Sequence, residues 1–158
     1  EMCIRDRIKE EYKMKVTFVC HGNICRSPMA QFILKYLEPK IEVDSKATHT
    51  DELGNDMYYP AKVKLTKEGI PFSKHTATLL KSSDYGKSDY FLVMDTENFT
   101  NTVIRLNGDP QNKVFRLLEF TGENRDVADP WYTGNFDKAY DDILKGCKAF
   151  LENVNRKI

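Results

Sequence analysis

Hydrophobic and polar positions along the chain alternate between short unbroken apolar runs and longer stretches in which apolar residues return every three or four places. Val16-Thr17-Phe18-Val19 is such a run, the pattern of a strand buried on both faces. From Pro28 to Leu37 the apolar residues Met29, Phe32, Ile33, Tyr36 and Leu37 fall at helical spacing, with Ser27 placed to cap the helix and Pro28 at its first position. Ile41 to Asp44 predicts a second strand, and Pro60 to Lys67 a helix ending at Gly69. Tyr90 to Met94 predicts a third strand, Glu97 to Leu106 a helix closed by Asn107-Gly108, and Val114 to Leu117 a fourth strand. A last helix from Phe136 to about Val154 is predicted to bury Phe136, Ala139, Tyr140, Ile143, Leu144, Cys147, Phe150 and Leu151.

Strands and helices in strict alternation imply an α/β fold: one domain with a four-stranded parallel sheet and helices on both faces, doubly wound and Rossmann-like. In such folds ligands bind beyond the carboxyl ends of the strands, and Cys20 stands at such an end. The irregular stretches 45–58 and 121–135 are long for a small domain and are candidates for the walls of a site.

A length of 158 residues suits one domain. Lys and Arg together number 24, as do Asp and Glu. That balance removes the broad electrostatic case for nucleic acid or an anionic membrane, so any basic site must be local. No run of about 18 apolar residues is present to span a bilayer. Cysteines at 3, 20, 25 and 147 lack the spacing of a disulfide framework, and the charged residues 1–13 do not read as a signal peptide, so a reducing cytoplasm is the expected compartment. Met14 and the strand that follows it read as the natural opening of the fold. Residues 1–13, including Cys3, are therefore expected to be an extension outside it, and 14–158 the domain.

Between the first strand and the first helix lies Cys20-His21-Gly22-Asn23-Ile24-Cys25-Arg26-Ser27. Backbone N–H groups of a tight loop and of a helix's first turn converge on one point there, and the helix dipole favours an anion. Cysteine accepts a phosphoryl group only as thiolate. The helix start, the charge of Arg26 and the loop amides all favour ionised sulfur. The planar fork of Arg26 matches two phosphoryl oxygens and can follow them into a trigonal transition state, which a lysine could not. Gly22 and Asn23 suit backbone that turns inward through positive φ, and Ser27 is close enough to donate to the sulfur. Cysteine, five residues and arginine is a weak pattern alone; the strand before it and the helix after it give it weight.

The run Cys20 to Pro28 resembles the signature loop of the low-molecular-weight protein tyrosine phosphatases, and the likeness extends from Met14 to the last helix. A second family signature, Asp129-Pro130-Trp131-Tyr132, follows at the family's distance. The resemblance implies Cys20 as nucleophile, Arg26 as phosphate clamp and Asp129 as general acid. The chemistry also requires an acid, because a tyrosinate leaves slowly unless protonated as the P–O bond breaks. Pro130 fixes the backbone of Asp129, and Trp131 and Tyr132 offer faces for a phenyl ring. The resemblance further implies that Asn23, Ser45 and His75 form the hydrogen-bonded shell of the loop, and that Cys25 can form a disulfide with Cys20 that protects the nucleophile and switches the enzyme off. Asp95 reads as a helix cap. The segment His49-Thr50-Asp51-Glu52, with Asp51 as substrate wall, matches the family's variable wall but is more acidic than an acidic phosphopeptide would favour.

An arsenate reductase that relays a disulfide needs further downstream cysteines, and only Cys147 follows Cys25. A protein arginine phosphatase typically has threonine where this chain has Ile24, and the bulkier apolar residue favours an aryl phosphate. A non-enzymatic phosphotyrosine-binding module would lack the nucleophile or the acid. The reading is thus a cytoplasmic, monomeric phosphotyrosine phosphatase that uses no metal or cofactor, takes a phosphotyrosine-containing protein as substrate, and has no nucleic-acid or membrane partner.

Overall fold

Side chains alternate across a strand, so β1 (Lys15–Cys20) sends Val16, Phe18 and Cys20 into one apolar cluster and Val19 into another. β1 therefore belongs at the centre of a sheet. In the computed structural model of the protein, which describes residues 13–157, it pairs in parallel with β2 (Glu42–Ala47) on one side and β3 (Tyr90–Val93) on the other. β4 (Val114–Arg116) pairs in parallel with β3, giving the order β2-β1-β3-β4. The helices are α1 (Arg26–Leu37), α2 (Tyr59–Lys67), α3 (Thr96–Arg105), α4 (Pro130–Thr133) and α5 (Phe136–Lys157).

Met29 and Ile33 of α1, Leu65 of α2, and Ile143, Cys147 and Phe150 of α5 cover the Phe18 face. Phe99 and Val103 of α3, with Leu106, and Tyr85 from the 3₁₀ turn Ser82–Lys87 cover the Val19 face. Helices thus lie on both faces. The second face is the smaller, and α3 meets it with half-buried Phe99 and Val103; the helix starts at Asp95, whose side chain accepts from Asn98 N–H. α5 passes so close to Leu117, the first residue of a second 3₁₀ turn, that a Cβ on Gly146 would lie 2.5 Å from Leu117 Cγ.

The strand order reverses direction between β1 and β3. A crevice opens there at the carboxyl ends of the two strands, and Cys20 ends one while Asp95 follows the other.

Several boundaries differ from the sequence reading. β2 runs from Glu42 to Ala47 rather than from Ile41 to Asp44; its pairing with β1 extends it through Ser45, Lys46 and Ala47, a stretch with little apolar signal. α1 starts at Arg26, with Cys25 and not Ser27 at the cap position, because the Ser27 hydroxyl is engaged elsewhere. Tyr36, which falls at the helical spacing, is 55% exposed, whereas Ala30 and Leu34 of that helix are buried. On α5 the residues Phe136, Leu144 and Leu151 are half-buried at the edge of the core. Residues 1–12 of the expected extension, and Cys3 with them, lie outside the described residues.

Candidate active site

Between the end of β1 and the start of α1 the chain turns through Asn23, whose φ is +61°. Such left-handed backbone costs any L-residue, but least Asn. Gly22, expected to share it, does not; a side chain there would instead meet Glu52, whose Cγ lies 3.4 Å from the site of a Cβ. Each polar group of buried Asn23 has a partner. Nδ2 donates to Ser27 Oγ at 2.7 Å, Oδ1 accepts from Thr78 N–H at 3.2 Å, and the carbonyl accepts from His75 Nε2 at 2.8 Å. Its N–H donates to Cys20 Sγ at 3.3 Å.

Ser27 Oγ lies 2.9 Å from Cys20 Sγ. Because that oxygen already accepts from Asn23, its single proton is directed at the sulfur. Cys20 thus has two donors, a backbone N–H and a hydroxyl, at the amino end of α1.

His75 must carry its proton on Nε2 to donate to the Asn23 carbonyl, and burial pulls its imidazole below the ordinary 6.5, which keeps it neutral. Its backbone N–H donates to Asp56 Oδ1 at 2.9 Å, and Lys62 Nζ donates to Asp56 Oδ2 at 2.6 Å. The Lys62 hydrogen bond is the largest of the factors that lower the Asp56 carboxyl to about 2. Thr78 and Asp56 therefore belong to the shell of the loop. No motif marks either. Ser45, by contrast, donates to Gln31 Oε1 at 2.6 Å and makes no hydrogen bond to the loop among the described residues. It braces α1 against β2, which corrects the expectation that it joins Asn23.

Arg26 is 3% exposed. Its Nη1 donates to Asp95 Oδ2 and to the Val127 carbonyl, both at 2.8 Å, which commits both protons of that nitrogen. Burial works against its charge, but Cys20, Asp129 and Asp95 more than offset this, and its pKa is raised. Asp95 therefore has two duties, since its other oxygen accepts from Asn98 N–H at 2.6 Å. The sequence showed only the cap. Asp129 Oδ1 accepts from Trp131 N–H at 3.0 Å at the start of α4, and Oδ2 lies 3.5 Å from Arg26 Nη2.

These residues enclose a cleft of about 220 Å³. The loop from Cys20 to Arg26 forms its floor, Asp51 and Glu52 one wall, and Asp129, Trp131 and Tyr132 the other. Ser27 and His75 are buried behind it. Trp131 leans on Tyr58, ring centroids 4.7 Å apart, and Tyr58 on Phe136 at 6.1 Å. Cys25 packs with Ile24 and Ala77. Burial first, then Cys20, pushes the Cys25 thiol up, so it carries its proton at neutral pH.

A parallel α/β domain that brings a cysteine, its backbone N–H donor and a buried arginine to one cleft beyond its central strand is of the class that holds a phosphate group at a strand-to-helix turn. Residues 15–158 match the family model of the low molecular weight phosphotyrosine protein phosphatases. The low molecular weight protein-tyrosine-phosphatase PtpA of Staphylococcus aureus is 37% identical over 145 residues, which cover 88% of this chain and 92% of PtpA. Among solved structures, YfkJ from Bacillus subtilis aligns with a TM-score of 0.87 and 33% identity, over 92% of this chain and 97% of YfkJ. DARP, a Drosophila arginine phosphatase, aligns with a TM-score of 0.80 and 30% identity, over 89% and 98% of the two chains. The chain belongs to the low molecular weight protein tyrosine phosphatases.

Proposed function

We propose that the protein hydrolyses phosphotyrosine in proteins by two displacements at Cys20. In the first, the Cys20 thiolate attacks phosphorus, the bond to the tyrosine oxygen breaks, and Asp129 gives its proton to that oxygen. In the second, water attacks the phosphocysteine, Asp129 takes a proton from it, and the P–S bond breaks to return the thiolate and inorganic phosphate. Ser27 and Asn23 N–H stabilise the sulfur as it leaves. With Nη1 held by Asp95 and Val127, the Nε–Nη2 edge of Arg26 is left for two phosphoryl oxygens. Charge on the transferring group falls to that edge and to the loop amides, so the scheme calls for neither metal nor cofactor.

The observation that carries this reading is the placement of Cys20, Arg26 and Asp129 on one cleft. The arginine phosphatase among the structural relatives keeps a second substrate in view, but half-exposed Trp131 and exposed Tyr132 flank the cleft with aromatic faces suited to a phenyl ring. The reading includes action as a monomer in the cytoplasm. Turnover of p-nitrophenyl phosphate in EDTA tests the chemistry: activity should persist with the chelator and vanish in Cys20→Ser. Residual wild-type activity in that variant would refute the role of Cys20. Parallel assays with phosphotyrosyl and phosphoarginyl peptides decide the substrate.

A further inference from the structure

β2 ends at Ala47, yet the chain beyond it stays paired to the phosphate loop for two more residues. Thr48 N–H donates to the Cys20 carbonyl at 3.0 Å and His49 N–H to the His21 carbonyl at 3.1 Å. Set side by side in this way, His21 and His49 stack with ring centroids 3.8 Å apart and planes 11° apart. His49 Nδ1 in turn lies 2.8 Å from Thr48 Oγ1. The stack fixes the plane of the His21 ring, and His21 Nε2 meets Asp51 Oδ2 at 2.9 Å. That hydrogen bond, foremost among the factors acting on it, holds the Asp51 carboxyl below its ordinary range.

Glu52 comes next along the same wall, its side chain against Gly22 and its Oε2 accepting from Asn55 Nδ2 at 2.6 Å. Of the residues that line the cleft, Arg26 alone is a lysine or arginine, and it is buried in the floor. At the mouth, a fixed carboxylate and its neighbour therefore face whatever flanks the phosphorylated side chain.

We propose that His21 is a positioning residue for specificity: it holds Asp51 across the mouth of the cleft so that, with Glu52, it favours lysine or arginine beside the phosphotyrosine and disfavours aspartate or glutamate. This rests on the phosphotyrosine reading above. An exposed charge pair some 6 Å apart changes binding by about threefold, and exchange of a cation for an anion reverses the sign, so the two peptide classes should differ by about tenfold. Tethering matters because an untethered side chain must lose rotamer freedom on binding, which erodes so small a gain.

The test compares kcat/KM for two phosphotyrosyl peptides that differ only in carrying lysine or glutamate on both sides of the phosphotyrosine. The wild-type ratio should be about tenfold in favour of the lysine peptide and should shrink in about 0.5 M salt, where exposed charges are screened. Asp51→Asn and His21→Leu should each cut the ratio to about threefold or less. His21→Gln, which keeps an N–H donor for Asp51, should restore it. Both peptides meet the same variant, so partial misfolding lowers the two rates together and leaves the ratio intact. A wild-type ratio near one, or one favouring glutamate, would overturn the proposal, as would a ratio unchanged in either Asp51→Asn or His21→Leu. Hydrolysis of neither peptide would overturn the phosphotyrosine reading and this inference with it.

Discussion

Asp129 sits where two demands meet: it caps α4 through Trp131 N–H and approaches Arg26 with its other oxygen. On the proposed scheme its removal leaves Cys20 and the phosphate cradle in place but strips the leaving group of its proton. Asp129→Ala should lower kcat for phosphotyrosine by about 10² to 10⁴. The loss should be smaller for p-nitrophenyl phosphate, whose phenolate leaves more readily. Steady-state and burst kinetics on both substrates check this, and equal losses would point to another acid. The family resemblance gives Cys25, packed beside the loop, a redox role that can be tested. When peroxide converts Cys20 to a sulfenic acid, the Cys25 thiol can condense with it, forming the S–S bond and releasing water. Mass spectrometry after peroxide should find the Cys20–Cys25 linked peptide. Direct passage of Cys20 to sulfinic acid without that link would remove the idea of redox control.

At the scale of elements, the contact between α5 and the 3₁₀ turn at Leu117 leaves no room for a methyl group on Gly146. Gly146→Ala would gain up to about 1 kcal/mol of helix propensity, but its methyl would enter the space of buried Leu117. Overpacking of that kind costs about 1–3 kcal/mol. Chemical denaturation should therefore show the variant less stable by about 1–2 kcal/mol, while Gly69→Ala, where nothing lies near, tests strain from its φ of +73° alone.

Elements also explain what could be read from the chain. The phosphate loop and Asp129-Pro130-Trp131 were legible because each is contiguous and sits at the end of a strongly patterned element. β2 was only half legible: the sequence Glu-Val-Asp-Ser-Lys-Ala offers few apolar positions, as an edge strand can, and its pairing is set by β1. Ser27 was misplaced as a cap because capping and donation to sulfur call for the same side chain. Tyr36 fitted the helical spacing but lies past the edge of the partner surface. Thr78 lends a backbone N–H and Asp56 acts through His75; tertiary placement alone reveals either, and it alone moved Ser45 from the loop to Gln31.

For the molecule as a whole, two groups behind the loop tie stability to pH in the same direction. His75 is buried with a lowered pKa, so below about pH 6.5 the unfolded chain binds a proton that the folded state resists. Stability should fall as pH drops through that value, and His75→Asn should flatten this part of the curve. Asp56 has its folded value depressed from 3.8 to about 2. Its contribution is complete above the ordinary carboxylate range and is lost as pH falls toward 2. Thermal melts from pH 7 to 3 check both, with Asp56→Asn removing the lower limb. His75 donates to the Asn23 carbonyl and Asp56 accepts from His75 N–H, so acid should loosen the phosphate loop before the core.

The approach of Asp129 to within 3.5 Å of Arg26 bears on how a turnover ends. On the proposed scheme, phosphocysteine hydrolysis would leave a free anion resting on the guanidinium. The carboxylate beside it, once it had passed its proton back to solvent, would be drawn to the same nitrogen and would repel the same anion. Product and acid would thus compete for one cation, and the return of Asp129 to its resting contact would help expel phosphate, clearing the cleft for the next substrate.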